Sequence, residues 1–445
     1  MLNTTCAVVG GGPAGMVLGL VLARAGVEVT VLEKHADFLR DFRGDTVHSS
    51  TLTLLDELGL GERFAAIPHR LLETARIELD AGEAQVGDLR RLRGPHPHIA
   101  LVPQWDFLDL LAEAAAEEPT FTLRRRAEVV DLLRDGGRVA GVRFRDRDTG
   151  EEHDLHAQLV VAADGRGSAV RAAAGLVPRA FGVPMDVEWF RLPRRPDDRS
   201  GLVGRFSPGH VAVLIDRGDY WQAAYVIRKG SDPALRAAGI GELRARLAHL
   251  LPWLADRVDA LRSWDDVSVL DVRLDRLRRW DRDGLLLIGD AAHAMSPLGG
   301  VGINLAVQDA VAAARVLGPA LGSGGIVPRS VLRRVQRRRW WPTALVQGVQ
   351  RLGHARLLGP ALREPTGGGT VAADLPLPLR LLRRVPALQA VPAYAIAVGP
   401  QPEHAPDWAR RAPSRPGTTT ASTARWSEER VGSTSAPTKR PSPRT

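Results

Sequence analysis

The 445-residue chain has little cysteine, lysine or tyrosine. Its single cysteine, Cys6, excludes an intrachain disulfide, a redox-active C-x-x-C pair and a cysteine-built metal site. Cys6 lies in a short apolar run and reads as a small buried hydrophobe. No metal-ligand spacing stands out elsewhere, so no metal is expected. Lysine occurs three times (Lys34, Lys229, Lys439) among 60 basic residues, so the charge is carried by arginine. No basic stripe interleaves with aromatics and no reader motif occurs, so nucleic acid is not an expected partner. No apolar run of about 18 residues is free of charge, so no spanning helix and no obligatory membrane contact is expected, while weak membrane contact stays open. The N-terminal apolar run is too short for a secretory leader and no basic residue precedes it. A cytoplasmic protein is the expectation.

What is present is a 44 % hydrophobic chain with net charge +9, enough for one large core or two domains. Residues 406–445 hold eight basic and three acidic side chains, so that stretch alone supplies +5. From about residue 400 Pro, Ser, Thr and Arg dominate without periodicity, which predicts a disordered tail over 400–445.

Residues 4–34, "TTCAVVGGGPAGMVLGLVLARAGVEVTVLEK", alternate buried strand, glycine turn, helix and buried strand. Gly10, Gly12 and Gly15 form G-x-G-x-x-G. The first allows the tight turn, the second a close backbone approach to a pyrophosphate, and the third close packing of helix on sheet. The helix N-terminus offers free N–H groups to phosphate. Glu33, ending the second strand, is placed to accept from a ribose hydroxyl, which favours FAD or NAD over NADP at this site.

Two later stretches repeat the strand-to-turn theme. "LVVAADGRGSAVRAAAG" (159–175) ends its strand at Asp164-Gly165, with Ser168 as N-cap of the next helix. "GLLLIGDAAHAMSPLGGVGINLAVQDA" (284–310) ends its strand at Gly289-Asp290. Pro297, Gly299, Gly300 and Gly302 then lead into a helix with Asn304 in its first turn. Asp290 can accept from a polyol, the glycines let backbone pass a flat ligand, and the helix N-terminus can stabilise negative charge.

The three stretches, in this order and about 150 and 125 residues apart, resemble those of the flavin-dependent aromatic hydroxylases (class A flavoprotein monooxygenases, the para-hydroxybenzoate hydroxylase fold). The resemblance covers about residues 4–355. It implies an α/β fold: a Rossmann-like FAD-binding domain with a β-meander, an antiparallel-sheet substrate domain and C-terminal helices. It puts the ADP half of FAD on Gly10, Gly12, Gly15 and Glu33. It puts the pyrophosphate near Asp164 and Gly165, and the ribityl chain on Gly289 and Asp290, with Gln104 nearby. Gln104 reads equally well as an ordinary polar helix start. Pro297, Gly299, Gly302 and Asn304 fall beside the flavin.

On this reading residues 1–175 and 276–355 form the FAD-binding domain, part of which is open to joining the substrate-side sheet. Residues 176–275 are the strand-rich substrate domain, 356–399 a helical extension, and 364–373 a linker within it. Trp189, Phe190, Phe206, Tyr220, Trp221 and Tyr225 give the second domain aromatic weight, and one or two of them are expected at substrate. The arginine run Arg333, Arg334, Arg337, Arg338 and Arg339 reads as a solvated helix face.

The resemblance implies that NAD(P)H, a transient co-substrate, reduces FAD. O2 then gives a flavin C4a-hydroperoxide, which hydroxylates an aromatic or polyketide-like small molecule. Only one dinucleotide-binding unit is visible, which agrees with a transient nicotinamide cofactor. Three other readings stay open: a reductase or oxidase on the same fold, a flavin halogenase, and an FAD-binding protein without turnover. The halogenase reading is weakened because "WWP" (340–342) departs from the W-x-W-x-I-P pattern.

One connector remains over-polar for its place. "DFRGDTVHSST" (41–51) follows the second strand on the ligand side of the sheet, with Thr51 expected to cap the helix after it. The resemblance puts an arginine of this loop on the pyrophosphate or flavin, and Arg43 fits. Asp45 and His48 are then the candidates for the flavin–substrate side, with His48 a candidate base for a phenolic substrate.

Overall fold

The computed structural model describes residues 1–39, 46–80, 82–363 and 377–412. Arg43 and Asp45 lie outside the described residues. Along the chain, β1 (Leu2–Val9), α1 (Pro13–Ala23) and β2 (Val29–Leu32) are followed by α2 (Ser49–Glu57). β3 (Phe121–Arg124) and β4 (Glu152–Ala162) come next. β5 (Met185–Pro193), β6 (Leu202–Ser207), β7 (His210–Asp216) and β8 (Tyr220–Arg228) form an antiparallel group. β9 (Leu285–Leu287), α3 (Gly302–Gly322), α4 (Arg329–Gly353) and α5 (Ala390–Ala397) complete the set.

The first sheet carries five parallel strands in the order β9–β4–β1–β2–β3. Its central strands end in apolar, buried stretches, Cys6–Val9 in β1 and Leu159–Ala162 in β4, because both faces are covered there, with α1 buried from Ala14 to Ala23 on one of them. Cys6 is inaccessible here, and burial pushes its thiol up to about 12. The register pairs Val9 with Leu32 and Ala162, and Ala162 with Leu287. The carboxyl ends of four strands therefore finish level on one edge, where an open α/β sheet holds its ligand. The hairpin Ala127–Asp135 and Arg138–Asp146 extends β4 on its antiparallel side.

The second sheet has seven strands, ordered Ser268–Leu270, β5, β8, β7, β6, Thr74–Leu79 and Gly82–Asp88. The last two come from the first 175 residues, so the second sheet is built from two separate parts of the chain. Strand alternation divides the aromatics between its faces. Phe190, Trp221 and Tyr225 form a core under the helix Ile240–Leu250, whereas Trp189 and Phe206 lie on the other face with Val187 and Val213.

Three expectations change. α2 starts at Ser49 with His48 as N-cap, so Thr51 lies inside the helix and its hydroxyl is used elsewhere. Arg339 is wholly buried rather than solvated, because Asp309, Gln308 and the Gln401 carbonyl take its donors. Residues 400–412, expected in the tail, pack on the body. Glu403 binds Arg338 through two contacts, Glu57 accepts from the Ala405 N–H, and Ala409 joins the main core. These partners are distant in sequence, so composition does not reveal them. Residues 413–445 lie outside the described residues.

Candidate functional site

The three glycine-bearing turns meet at the level strand ends. Gly10, at φ +102°, lies so close to the end of β4 that an added Cβ would stand 2.5 Å from the Ala163 carbonyl oxygen and 2.8 Å from Asp164 Cα. Gly15 packs against that turn, and its Cβ would fall 1.9 Å from the Gly10 oxygen. Gly12 differs, because a Cβ there would meet no atom of the described residues within 4 Å. The turn is thus closed by protein at Gly10 and Gly15 and open at Gly12. Glu33 lies beside it, buried, accepting the Gly11 N–H at 2.9 Å and the His35 N–H at 3.0 Å.

The second turn is braced internally. Asp164 accepts from Ser168 Oγ at 2.6 Å and from the Val170 N–H at 3.2 Å, while Ser168 Oγ accepts the Arg171 N–H as the expected N-cap. Burial pushes the Asp164 carboxyl up, against these donors. Gly165 takes φ +83° with open space at its Cβ position. Arg166 bridges to the third turn, 3.4 Å from Asp290. Gly289 sits at φ +56° with the Ala14 Cβ 3.5 Å from its Cβ position, so the first and third turns also touch. Gln104, half-buried, opens the helix Gln104–Ala116, and its amide makes no hydrogen bond among the described residues.

Behind the third turn runs a buried polar network that the sequence did not announce. Asn304 Oδ1 accepts from Ser50 Oγ at 2.8 Å and Thr51 Oγ1 at 2.9 Å. Gln308 donates to Ser50 Oγ and accepts from Arg339 at 2.8 Å. Arg339 also reaches Asp309 at 3.0 Å, and the other Asp309 oxygen holds the Gly289 N–H and His293 Nε2. Burial alone would raise the Asp309 carboxyl, but His293 and Arg339 outweigh it and hold it below the usual range. The two hydroxyls fix the Asn304 amide, leaving Nδ2 a buried donor without a partner among the described residues, in the first turn of α3. One clue was readable: a carboxylate and an amide adjacent at 308–309, one turn after Asn304.

His48 is buried, with Nδ1 2.8 Å from the Ile396 carbonyl and Nε2 3.3 Å from Thr46 Oγ1. A carbonyl only accepts, so Nδ1 carries the proton. Burial pulls the imidazole below its usual value, against the carbonyls of Ile396 and Gly300, and it is held neutral. Gly300, at φ +65°, brings backbone past this edge, its Cβ position 3.7 Å from Nε2. Pro297 and Gly302 bound the same loop, in which Gly299 takes φ +83° and Leu298 packs with Val187 and Val213 of the second sheet. Trp189 is shared by the apolar clusters containing Ile396 and Leu298, and its buried indole N–H has no partner among the described residues.

A dinucleotide carrying a flat ring system fits this arrangement. The open space at Gly12 suits phosphate, and the orphaned Asn304 Nδ2 suits a ring acceptor. Among the described residues no cluster of three or more His, Cys, Asp or Glu could hold a metal. Fold and site together define an FAD-binding flavoprotein. Residues 3–341 match the family described as FAD binding domain, and the chain belongs to that family of FAD-dependent monooxygenases. It is 36 % identical over 407 residues to the 6-methylpretetramide 4-monooxygenase of Streptomyces rimosus, covering 90 % of this chain and 93 % of that one. It is 27 % identical over 395 residues to the 3-demethoxyubiquinol 3-hydroxylase of Escherichia coli, covering 83 % and 95 %. The solved anhydrotetracycline hydroxylase OxyS of Streptomyces rimosus has a TM-score of 0.69 at 25 % identity, covering 89 % of this chain and 76 % of that one.

Proposed function

We propose that this FAD-dependent monooxygenase hydroxylates an aromatic, polyketide-type small molecule in the cytoplasm, using O2 and electrons from transiently bound NAD(P)H. The observation that carries the substrate class is the 36 % identity to the 6-methylpretetramide 4-monooxygenase across 90 % of the chain. FAD, when bound, supplies the electron transfer and the oxygen activation. The chain's own residues hold and shield it. The Gly10–Gly12 turn and the α1 N-terminus take the pyrophosphate, and Glu33 accepts from the adenosine ribose. Asp290 accepts from the ribityl hydroxyls, with Gln104 as a second polar contact. The α3 N-terminus and Asn304 Nδ2 offer positive potential and a donor to the ring edge that becomes negative on reduction. Asp164 and Gly165 shape the turn beside the pyrophosphate, and Pro297, Gly299 and Gly302 shape the ring-side loop. Arg43 on the pyrophosphate and Asp45 on the substrate side rest on the family resemblance.

The substrate is proposed to lie between that loop and the apolar face bearing Val187, Trp189 and Val213. There the Trp189 indole N–H donates to a substrate oxygen. Neutral His48 accepts a phenolic proton at Nε2, with Thr46 Oγ1 alongside. The functional division follows: residues 1–175 with 276–355 for FAD, and 176–275 for substrate, joined by the 74–88 strands. The test is to reconstitute the protein with FAD and screen phenols and polycyclic aromatics for stimulated NAD(P)H oxidation, with a product heavier by one oxygen. NAD(P)H oxidation that no aromatic stimulates, or products without added oxygen, would overturn the proposal.

A further inference from the structure

Along the C-terminal half of α4 the usual amphipathic pattern is reversed. Its first turns bury Leu332 and Val335, but from Arg339 on the buried side chains, Pro342 apart, are polar: Arg339, Thr343, Gln347 and Gln350. Its solvent face carries Trp341, Leu345, Val349 and Leu352, which are 46 %, 51 %, 60 % and 57 % exposed. Positions 341, 345, 349 and 352 fall on one stripe of a helix, so these exposures make a continuous apolar line. Four large apolar side chains aligned in water mark an interaction surface rather than scattered exposure.

The charge around the stripe is one-sided. Residues 310–363 contain ten arginines and no Asp or Glu. Arg334 and Arg337 flank the stripe at one end and Arg351 and Arg356 at the other, with no ion pair among the described residues. Arg278 and Arg279 come alongside, lining an open groove with Arg333, Arg337 and Trp340. Nearby carboxylates are engaged, Asp281 with Arg329 and Glu403 with Arg338.

We infer that this face of α4 docks reversibly on an anionic lipid bilayer surface. Tryptophan and aliphatic side chains enter the headgroup boundary, and the flanking arginines meet the lipid phosphates. No helix among the described residues is long and apolar enough to cross a membrane, so the contact is with one leaflet's surface. Charge argues against the other occupants. A second copy would bring two arginine faces together. Residues 413–445 carry six basic and two acidic side chains and are repelled in the same way. A soluble anionic protein would satisfy the arginines but does not require two adjacent tryptophans and three aliphatics in water. A bilayer surface is also where apolar small molecules concentrate. Vesicle binding is read without substrate, so it stands or falls separately from the proposed activity.

The test is co-sedimentation of the full-length FAD-loaded protein with vesicles of phosphatidylcholine alone or with about 30 % phosphatidylglycerol at low salt. The expected result is at least about tenfold more bound protein with the anionic vesicles, lost as salt is raised. Two solvent-face variants, Arg334→Glu/Arg337→Glu and Leu345→Ser/Val349→Ser, should each abolish most of it while keeping flavin absorbance and melting temperature. Equal binding to both vesicle types, or none, overturns the inference. Loss in the arginine pair alone reduces the effect to general electrostatics and also overturns it. So does a concentration-dependent dimer that Leu345→Ser/Val349→Ser dissociates, since the stripe would then belong to a second copy.

Discussion

At the residue scale, three glycines of one motif do three different things, and substitution separates them. Gly12 has an extended backbone (φ −75°, ψ −178°) and empty space where a Cβ would go. Gly12→Ala should leave stability within about 0.5 kcal/mol of the native protein. It should weaken FAD binding about tenfold or more, because the new methyl occupies the room left for phosphate. Gly15→Ala should instead cost about 3 kcal/mol or more, since its Cβ would fall 1.9 Å from a backbone oxygen that cannot rotate away. Thermal unfolding and flavin titration of the two variants distinguish ligand room from protein packing. If both lost FAD and stability together, Gly12 would be a packing glycine as well.

Glu188 gives a second residue-scale outcome, with a pH signature. It is wholly buried opposite Tyr225, neither carboxylate oxygen finds a donor among the described residues, and burial with the nearby Asp232 pushes it up to about 7. The native state therefore holds a proton that the unfolded chain releases near pH 4.5. Its contribution to stability is full below that pH and is lost as pH rises toward 7. The loss amounts to about 3 kcal/mol above pH 7, from about 1.4 kcal/mol per unit. Glu188→Gln should raise the melting temperature at pH 8 and flatten its fall between pH 5 and 7. An unchanged pH profile would show that Glu188 is solvated or paired in solution.

At the element scale, α4 grips the loop that leads into α3 by its backbone. Gln350 accepts the Ser296 N–H at 3.2 Å and donates to the Ser296 and Leu298 carbonyls, both at 2.9 Å. Gln347 donates to the carbonyls of Asp275 and Ala294. Gln350→Leu keeps the volume roughly and strands three backbone groups. It should cost about 2–4 kcal/mol and raise amide exchange at Ser296, with FAD retention falling in parallel. Unchanged exchange at Ser296 would mean that the clamp is not what holds the loop. This element also marks where sequence reading stopped. The glycine turns were legible because strand, turn and helix lie within some thirty residues and each glycine's role is local. The polar row of α4 was not, because its partners lie about 30–70 residues away. A charge run looks the same whether Arg339 faces water or Asp309. Arg333, Arg334, Arg337 and Arg338 are exposed as the charge run suggests, and only Arg339 turns inward; the apolar outer stripe of the later turns runs against the usual inference.

At the scale of the whole molecule, the chain crosses between its two sheets more often than its composition suggested, and residues 400–412 are part of the body. The strands at 74–88 join the second sheet from within the first 175 residues. Residues 400–412 return to the first domain, where Arg24 donates to the Ala409 carbonyl and Arg339 to the Gln401 carbonyl. Composition placed the end of the folded part near residue 400 because Pro, Ser, Thr and Arg begin to dominate there. The packing of Glu403 and Ala409 moves it past that point. Two truncations test the boundary. A chain ending at residue 412 keeps every described contact of this segment and should melt within a degree or two of the full chain. A chain ending at residue 399 removes Glu403, leaves buried Arg339 without the Gln401 carbonyl and exposes the core around Ala409. It should lose about 3–5 kcal/mol, the usual cost of breaking a buried charged contact. Flavin should be held less tightly as well, because Arg339 is continuous with Asp309 and the Gly289 N–H. Equal melting temperatures for the two truncations would return residues 400–412 to the tail.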